Sequence, residues 1–526
     1  MGLIAKFASV GGATAASRVL GFVREAMIAA TLGAGPVADA FYAAFRFPNL
    51  FRRLFAEGAF NSAFIPLFAK AIEADGENVT GGEAERFAGE VFSVLATILV
   101  SLTAIAILAM PFLVNTIIAP AFSDTPDKFD LTVTLARIMF PYLAFMSLVA
   151  MLSGILNAFR RYFVAALAPV LLNVVLIGVL AYALWFDLDD PALGVGLAIG
   201  VVVAGVLQLA ALVIGLRQTG FSFRPRKPRL SPQVRRLLVL AAPAALTGGI
   251  VQINLVIGQI IASAQDGAIA LLSYADRLYQ LPLGVIGIAI SVVLLPELSR
   301  ALKANDAPEV LSLQNKSLEF GLGLTVPAAV ALALIPGPVI AIVFERGAFT
   351  PETTALTAAA LAAFAIGLPS FVLIKVFQPA YFAREDMRTP MWISLIAVAV
   401  NVAVSLALFP AYGHVGIAVA TTVSGWCNAA MLAGILWRRN AFRPSRTTLL
   451  RVLKITICAM VMGGFLVAWF GVFGSRFDTG NILLRLTIFL PALALCMIIY
   501  FGLALLSGGM DRSALMRSLR RKRANA

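Results

Sequence analysis

Residues 91–114 read VFSVLATILVSLTAIAILAMPFLV, a run without a single charged residue and without regular alternation of apolar and polar positions. A helix of that length crosses the roughly 30 Å hydrocarbon layer of a membrane, whereas a membrane β-strand would show a period of two. The run belongs to an apolar segment near 89–115, and others lie near 8–31, 40–69, 131–156, 163–185, 193–216, 237–263, 268–297, 315–343, 354–379, 390–410, 414–437, 449–473 and 482–507. The expectation is an all-α polytopic membrane protein of about 14 transmembrane helices, the number that 526 residues allow at about 37 per span and loop.

Composition agrees. The chain is 60% hydrophobic and only 13% charged, with a mean hydropathy of +0.92. Soluble domains are about half apolar and about a quarter charged, so a soluble enzyme is excluded, as are disordered, collagenous and disulfide-built chains. The polar stretches 70–88, 217–236, 298–317 and 438–451 are each too short to fold alone, which places the function inside the membrane. Cys427, Cys458 and Cys496 lie in apolar segments without ligand spacing, and the single histidine, His414, falls in a short predicted outer loop. No metal and no cofactor is expected. The start, Met1 to Ala16, reads as an uncleaved first helix, because Arg18 and Arg24 follow within the same segment.

The net charge of +14 would suggest nucleic acid in a soluble domain; here the loops explain it. Between Arg217 and Arg236 there are seven bases and no acid, and Arg160, Arg161, Arg384, Arg388, the run Arg438 to Lys454 and the tail Arg512 to Arg523 fall on the same side. The alternate loops carry Asp124, Asp127 and Asp130, then Asp187, Asp189 and Asp190. Basic loops stay in the cytoplasm, so both termini are expected there.

A weak repeat organises the chain. IPLFAKA (Ile65–Ala71) resembles LPELSRA (Leu295–Ala301), and FRRYFVAALAPVLLNVV (Phe159–Val175) resembles FAREDMRTPMWISLIAVAVNVA (Phe382–Ala403). Corresponding segments lie six helices apart, so the halves would share one orientation. This divides the chain into a six-helix lobe (1–216), a basic cytoplasmic linker (217–236), a second six-helix lobe (237–438), and two further helices with a basic tail (439–526).

Charges inside spanning helices cost a few kcal/mol each and need a reason. In the first segment Arg18 and Glu25 share a face, with Arg24 about a third of a turn away. In the second, Asp39, Tyr42, Arg46, Asn49, Arg53, Glu57 and Asn61 recur every three or four residues, one polar stripe on an apolar rod. Lipid cannot face that stripe, although Arg52 and Arg53 are also placed where they could snorkel to headgroups. Pro48 and Gly58 would let this helix bend, and Pro282 and Gly284 the eighth. The eighth segment carries Asp276 and Arg277 too deep for easy snorkelling, whereas Lys375 sits near a helix end and snorkelling suits its spacing better. The cations Arg18, Arg24, Arg46, Arg52, Arg53, Arg277 and Lys375 outnumber the acids Glu25, Asp39, Glu57 and Asp276. A buried positive surplus asks for a visiting anion, and guanidinium groups pair bidentately with phosphate. No nucleotide-binding loop is present, which leaves membrane potential, an ion gradient or substrate use as the energy source.

These stretches, SRVLGFVREAMIAATLGAG, ADAFYAAFRFPNLFRRLFAEGAFNSAFIPLFA and SYADRLYQLPLGVIGIAISVVLLPELS, together with FERGAFT (Phe344–Thr350) and KVFQPAYFAREDMRTP (Lys375–Pro390), closely resemble the MurJ (MviN) family of lipid II flippases. That family belongs to the multidrug/oligosaccharidyl-lipid/polysaccharide exporter superfamily. The resemblance implies two six-helix lobes forming a V around a cationic cavity, with the last two helices making a groove for the undecaprenyl tail. It implies a lipid II substrate, carried from the inner to the outer leaflet by alternating access. The positions it marks are Arg18, Arg24, Asp39, Arg52 and Arg277, with Arg53, Asp276 and Lys375 beside them. Arg24, Arg52 and Arg277 would engage the pyrophosphate, and Asp39 would pair with a cavity arginine when the outer gate closes. Two positions depart from the family pattern, Glu25 in place of Asp and Gln280 in place of an acid. A monomer in a lipid environment is expected, with cell-wall synthesis machinery as partner. The rival readings are an ion-coupled exporter of another polyprenyl-linked glycan or of drugs, against which the basic surplus argues for drugs, a polyprenyl-lipid enzyme, and a scaffold.

Overall fold

The structure is a computed structural model and describes residues 3–54, 60–75 and 82–510. The described residues contain no strand. Among the described residues eighteen α helices follow one another: α1 (Leu3–Leu32), α2 (Pro36–Leu54), α3 (Phe60–Asp75), α4 (Glu83–Leu108), α5 (Met110–Leu113), α6 (Pro126–Met139), α7 (Tyr142–Ala158), α8 (Tyr162–Phe186), α9 (Asp190–Arg217), α10 (Pro232–Ala262), α11 (Ala268–Lys303), α12 (Ala307–Leu334), α13 (Pro336–Phe344), α14 (Pro351–Phe382), α15 (Arg388–Tyr412), α16 (His414–Arg438), α17 (Arg446–Thr479) and α18 (Ile482–Leu506).

Each apolar segment of the sequence coincides with one helix or with a consecutive pair. Segments 89–115, 131–156 and 315–343 are the divided ones, giving α4 and α5, α6 and α7, α12 and α13; segment 40–69 covers α2 and α3, with residues 55–59 outside the described ones. Proline explains these three divisions: Pro111, Pro141 and Pro336 each lack the N–H that would continue the helix. Among the described residues ten spans are long and apolar enough to cross a membrane; α14, which holds Lys375, is one of them, whereas α1, α2 and α11, which hold Arg18, Arg24, Asp39, Asp276 and Arg277, are not. His414 is not in a loop: it opens α16, is buried, and its ring Nε2 meets the Leu356 carbonyl at 2.9 Å.

The chain forms two compact units, the first comprising Met1–Ala270 with Arg346–Phe349 and the second Leu271–Glu345 with Thr350–Ala526. In the first unit, Phe60, Phe64 and Phe68 repeat every fourth residue of α3 and stack at 5.1 and 5.4 Å. Phe87 of α4 lies on Phe64 at 5.7 Å, and Phe159 and Phe221 meet Phe68 at 6.3 and 5.6 Å. The basic stretch 217–236 is therefore fastened to the first unit.

The α1–α2 turn packs backbone to backbone on residues 346–349. Gly33 and Gly347 have φ of +56° and +58°, and a Cβ at Gly347 would lie 2.2 Å from the Ala30 carbonyl oxygen, which accepts a hydrogen bond from Ala348 N at 2.8 Å. A side chain there meets both the left-handed penalty and a backbone wall. Gly347→Val should lower the melting temperature of the purified protein by at least several degrees, corresponding to about 2 kcal/mol or more. An unchanged melting temperature would refute the close approach.

In the second unit, Leu298, Leu318, Leu322, Val372, Val376, Ile393, Leu432 and Leu436 make one core across α11, α12, α14, α15 and α16. The α17–α18 pair packs on α12 through Ile455, Met462, Leu466 and Tyr500, whose hydroxyl donates to the Gly323 carbonyl at 2.5 Å. Cys458 and Cys496 are buried there as free thiols, in keeping with small core residues.

The α14–α15 turn lies outside the spanning helices. Asp386 there accepts from the Thr389 backbone N–H at 3.0 Å, its hydroxyl at 2.7 Å and Arg439 at 2.6 Å. Burial alone would raise this carboxyl; the Thr389 and Arg439 bonds outweigh it and hold it at about 2. A lowered carboxyl pKa adds stability that is complete above the ordinary carboxylate range and is lost as pH falls through about 2. Asp386→Asn should thus lower the melting temperature at neutral pH, with the deficit shrinking towards zero as the pH approaches 2. A deficit independent of pH would contradict this.

Candidate functional site

The first charge cluster is built where α1 passes between α2 and α8. Arg24 and Glu25 are both buried, at 7% and 3% exposure. Adjacent helix residues diverge by about 100°, yet the long guanidinium arm bends round so that Arg24 Nη2 reaches Glu25 Oε1 at 2.5 Å. Its Nη1 donates to Asn173 Oδ1 on α8 at 2.9 Å, and Asn173 Nδ2 donates to the Ser17 carbonyl at 2.9 Å. Tyr42 of α2 donates its hydroxyl to Glu25 Oε2 at 2.6 Å. The third nitrogen, Arg24 Nε, is buried without a hydrogen-bond partner. The result is a neutral, preorganised pair in which one guanidinium edge is still unsatisfied. Arg18, one and two turns earlier, is exposed and makes no hydrogen bond or ion pair among the described residues.

The second cluster surrounds Asp39, in the first turn of α2 and fully buried. Its carboxylate accepts from Lys128 Nζ at 2.9 Å and from the backbone N–H groups of Gly267 at 2.7 Å and Ala270 at 2.9 Å. The last two are orphan donors at the start of α11, where an anion is favoured by the helix dipole. Lys128 also donates to Asp266 at 2.9 Å and lies 4.1 Å from the Phe122 ring centre. The partner of Asp39 is thus a lysine and not the arginine expected from the sequence.

Lys128 is the residue that sequence reading missed. It stands between Asp127 and Asp130 in what reads as an acidic outer loop, but α6 already begins at Pro126. Lys128, Thr132, Leu135, Ala136 and Met139 are all buried, a helical spacing that marks Lys128 as inward-facing.

The remaining candidates divide. Arg46 and Asn49 are half-buried on α2, continuing the stripe, and Pro48 lies within that helix. The side chains of Arg52 and Arg53, and all of Glu57 and Gly58, lie outside the described residues. In the second unit, Asp276 accepts a hydrogen bond from Gln280 one turn along α11, and Arg277 is half-buried. Pro282 lies within α11 and Gly284 is half-buried there. Lys375 of α14 is exposed, makes no ion pair among the described residues, and lays its stem against α11, 3.6 Å from where a Cβ on Gly287 would stand.

Asn173 of α8 and Asn401 of α15, which lie in the two stretches compared above, are both buried. Asn173 binds Arg24, while Asn401 donates to Thr421 at 3.3 Å and Ser424 at 3.4 Å. The first unit has placed a charge on its asparagine and the second has not.

Residues 28–488 match the sequence model of the family described as lipid II flippase MurJ. The chain is 53% identical to the probable lipid II flippase MurJ of Rhizobium tropici, over 99% of this chain and 98% of that protein. It is 34% identical to the lipid II flippase MurJ of Burkholderia cenocepacia, over 97% and 98%. Among solved structures it resembles a lipid II flippase MurJ in an inward closed conformation, with TM-score 0.76 and 24% identity over 97% of this chain and 99% of that one. It also resembles an inward-facing multidrug resistance MATE family transporter of the MOP superfamily, with TM-score 0.62 and 15% identity over 81% and 94%.

Proposed function

From the premise that this chain belongs to the lipid II flippase MurJ family, we propose that it carries lipid II, the undecaprenyl-pyrophosphate-linked peptidoglycan precursor, from the inner to the outer leaflet of the bacterial cytoplasmic membrane. It does so by alternating access, as a transporter and not an enzyme. The alternative, an exporter of another polyprenyl glycan or of drugs, is not favoured, since the relatives with half their residues in common are named as flippases.

The observation that carries the mechanism is the buried Arg24–Glu25–Tyr42–Asn173 cluster, with Arg18 exposed on the same helix. A pyrophosphate carries the charge and the paired oxygens that an arginine edge binds. Arg18 meets it first; Arg24 then exchanges Glu25 for the phosphate, its Nε supplying a donor that the resting pair leaves unused. Tyr42 keeps Glu25 hydrogen-bonded while its cation is away. Arg277 and Lys375 of the second unit offer the anion the same attraction, as do Arg52 and Arg53. Pro48 and Pro282 supply the bending points, with Gly58 and Gly284.

Ten helices already suffice by length and composition to span. Adding α1, the α2–α3 pair, α10 and α11 gives fourteen spans, two sets of six and a final pair, α17 and α18, for the lipid tail. Both termini face the cytoplasm on the loop charges. The protein works as a monomer without a cofactor, draws on the membrane potential or a coupled ion, and hands its cargo to cell-wall synthesis enzymes.

Arg277→Ala tests the phosphate role outside the first unit. In a strain dependent on this protein, and at matched membrane abundance, the variant should fail to support growth, whereas Arg277→Lys should support it weakly. Normal growth with Arg277→Ala would remove Arg277 from the account.

A further inference from the structure

The basic stretch between α9 and α10 is held at a defined depth. The Arg226 N–H donates to Ser93 Oγ at 2.9 Å, and Gly89 lies so close that a Cβ there would be 2.4 Å from the Arg224 carbonyl oxygen. Phe221 packs on Phe159 at 5.3 Å and Phe223 on Phe92 at 5.4 Å. The crossing point, Gly89 to Ser93, is where α4 changes character. Before it stand Glu83, Glu85, Arg86 and Glu90; from Val91 onward the helix is uncharged and spans. The strap therefore crosses α4 at the boundary between headgroups and hydrocarbon.

Among the acids in those first turns, Glu90 accepts from Arg86 at 3.1 Å and feels the charge of Arg226 from the strap, and Glu83 accepts from Gln233. Further along the strap Lys227, Arg229, Arg235 and Arg236 are exposed, and their side chains make no hydrogen bond or ion pair among the described residues. Next to them Leu230, Val239 and Leu240 are 70%, 63% and 50% exposed. With Pro232, Arg235 and Arg236 they line a groove of about 430 Å³. A merely solvated charge run needs neither a fixed depth nor an apolar floor.

We propose that this strap and the start of α10 form a binding site for anionic phospholipid, with headgroup phosphates on the arginines and acyl chains along Leu230, Val239 and Leu240. Fixed bases at the interface attract anionic headgroups in preference to zwitterionic ones, and arginine pairs with phosphate through two N–H groups. The site is separate from the charges on α1, α2 and α11, so it stands or falls independently of the transport reading.

The test uses the full-length protein in micelles containing equal phosphatidylglycerol and phosphatidylcholine, with native mass spectrometry counting retained lipids. The wild type should retain phosphatidylglycerol in excess, by about five-fold or more. The combined variant R226Q/K227Q/R229Q/R235Q/R236Q should fall to near parity at an unchanged melting temperature. Gly89→Val keeps every charge but displaces the strap, and should also lose most of the preference; R226K/R229K/R235K/R236K should keep it. Equal retention of both lipids by the wild type overturns the proposal, as does an undiminished preference in a folded glutamine variant. If the glutamine variant does not fold, preference kept in the lysine set and lost in Gly89→Val supports the site, and any other combination of those two overturns it.

Discussion

Arg24→Ala should reduce lipid II at the outer leaflet to the level of cells lacking the protein, and should lower the amount of folded protein as well. Two effects are superposed. Removing the guanidinium takes the Arg24 charge away from the buried Glu25 carboxylate and frees Asn173 Oδ1. Breaking a buried pair from one side costs about 3–5 kcal/mol. The effects separate in the double variant Arg24→Ala/Glu25→Ala, which removes the stranded charge: abundance should recover and transport should not. Recovery of transport in the double variant would mean that Arg24 serves the fold and not the cargo. Arg24→Lys is the finer probe. A lysine has a point charge and no fork, so it could hold Glu25 but not Glu25 and Asn173 together, and should retain abundance with weakened transport.

Asp39→Asn should also produce a large loss of stability. Asn can accept through one oxygen only, so it cannot serve Lys128, Gly267 and Ala270 as the carboxylate does. Lys128, 4% exposed, would keep only Asp266, whose own side chain is 92% exposed. A buried ammonium left wholly uncompensated costs about 3–5 kcal/mol; the exposed Asp266 keeps the loss below that bound, and it is read as a fall in melting temperature. Lys128→Met in the same chain removes the stranded cation, fills its space above Phe122, and should restore most of the loss. A double variant no more stable than Asp39→Asn would show that the α11 backbone bonds, and not the lysine pair, are what Asp39 provides.

The all-helical fold was legible because apolar runs of spanning length allow little else. The helix ends were less so: a proline such as Pro111 or Pro336 is visible in the sequence, but whether it bends a helix or divides it depends on the packing around it. Arg24, Glu25 and Asp39 could be singled out because a charge in an apolar helix needs a reason. Their partners could not. Asn173 lies 149 residues from Arg24 and Lys128 lies 89 from Asp39, and no local pattern encodes such distances. Lys128 was further hidden by the acids on either side of it. The stretch 217–236 read as a linker because its charges and prolines are local, whereas Ser93, Gly89 and Phe92, which hold it, are far away in the chain.

Lipid II should reach the outer leaflet through this protein. The most direct measurement is cleavage of lipid II by a reagent that acts only outside the cytoplasmic membrane, in cells depleted of the protein and carrying no second flippase. Depletion should abolish cleavage while lipid II accumulates inside, with wild type restoring it and Arg24→Ala/Glu25→Ala failing to do so at equal abundance. Undiminished cleavage in the depleted cells would contradict the account.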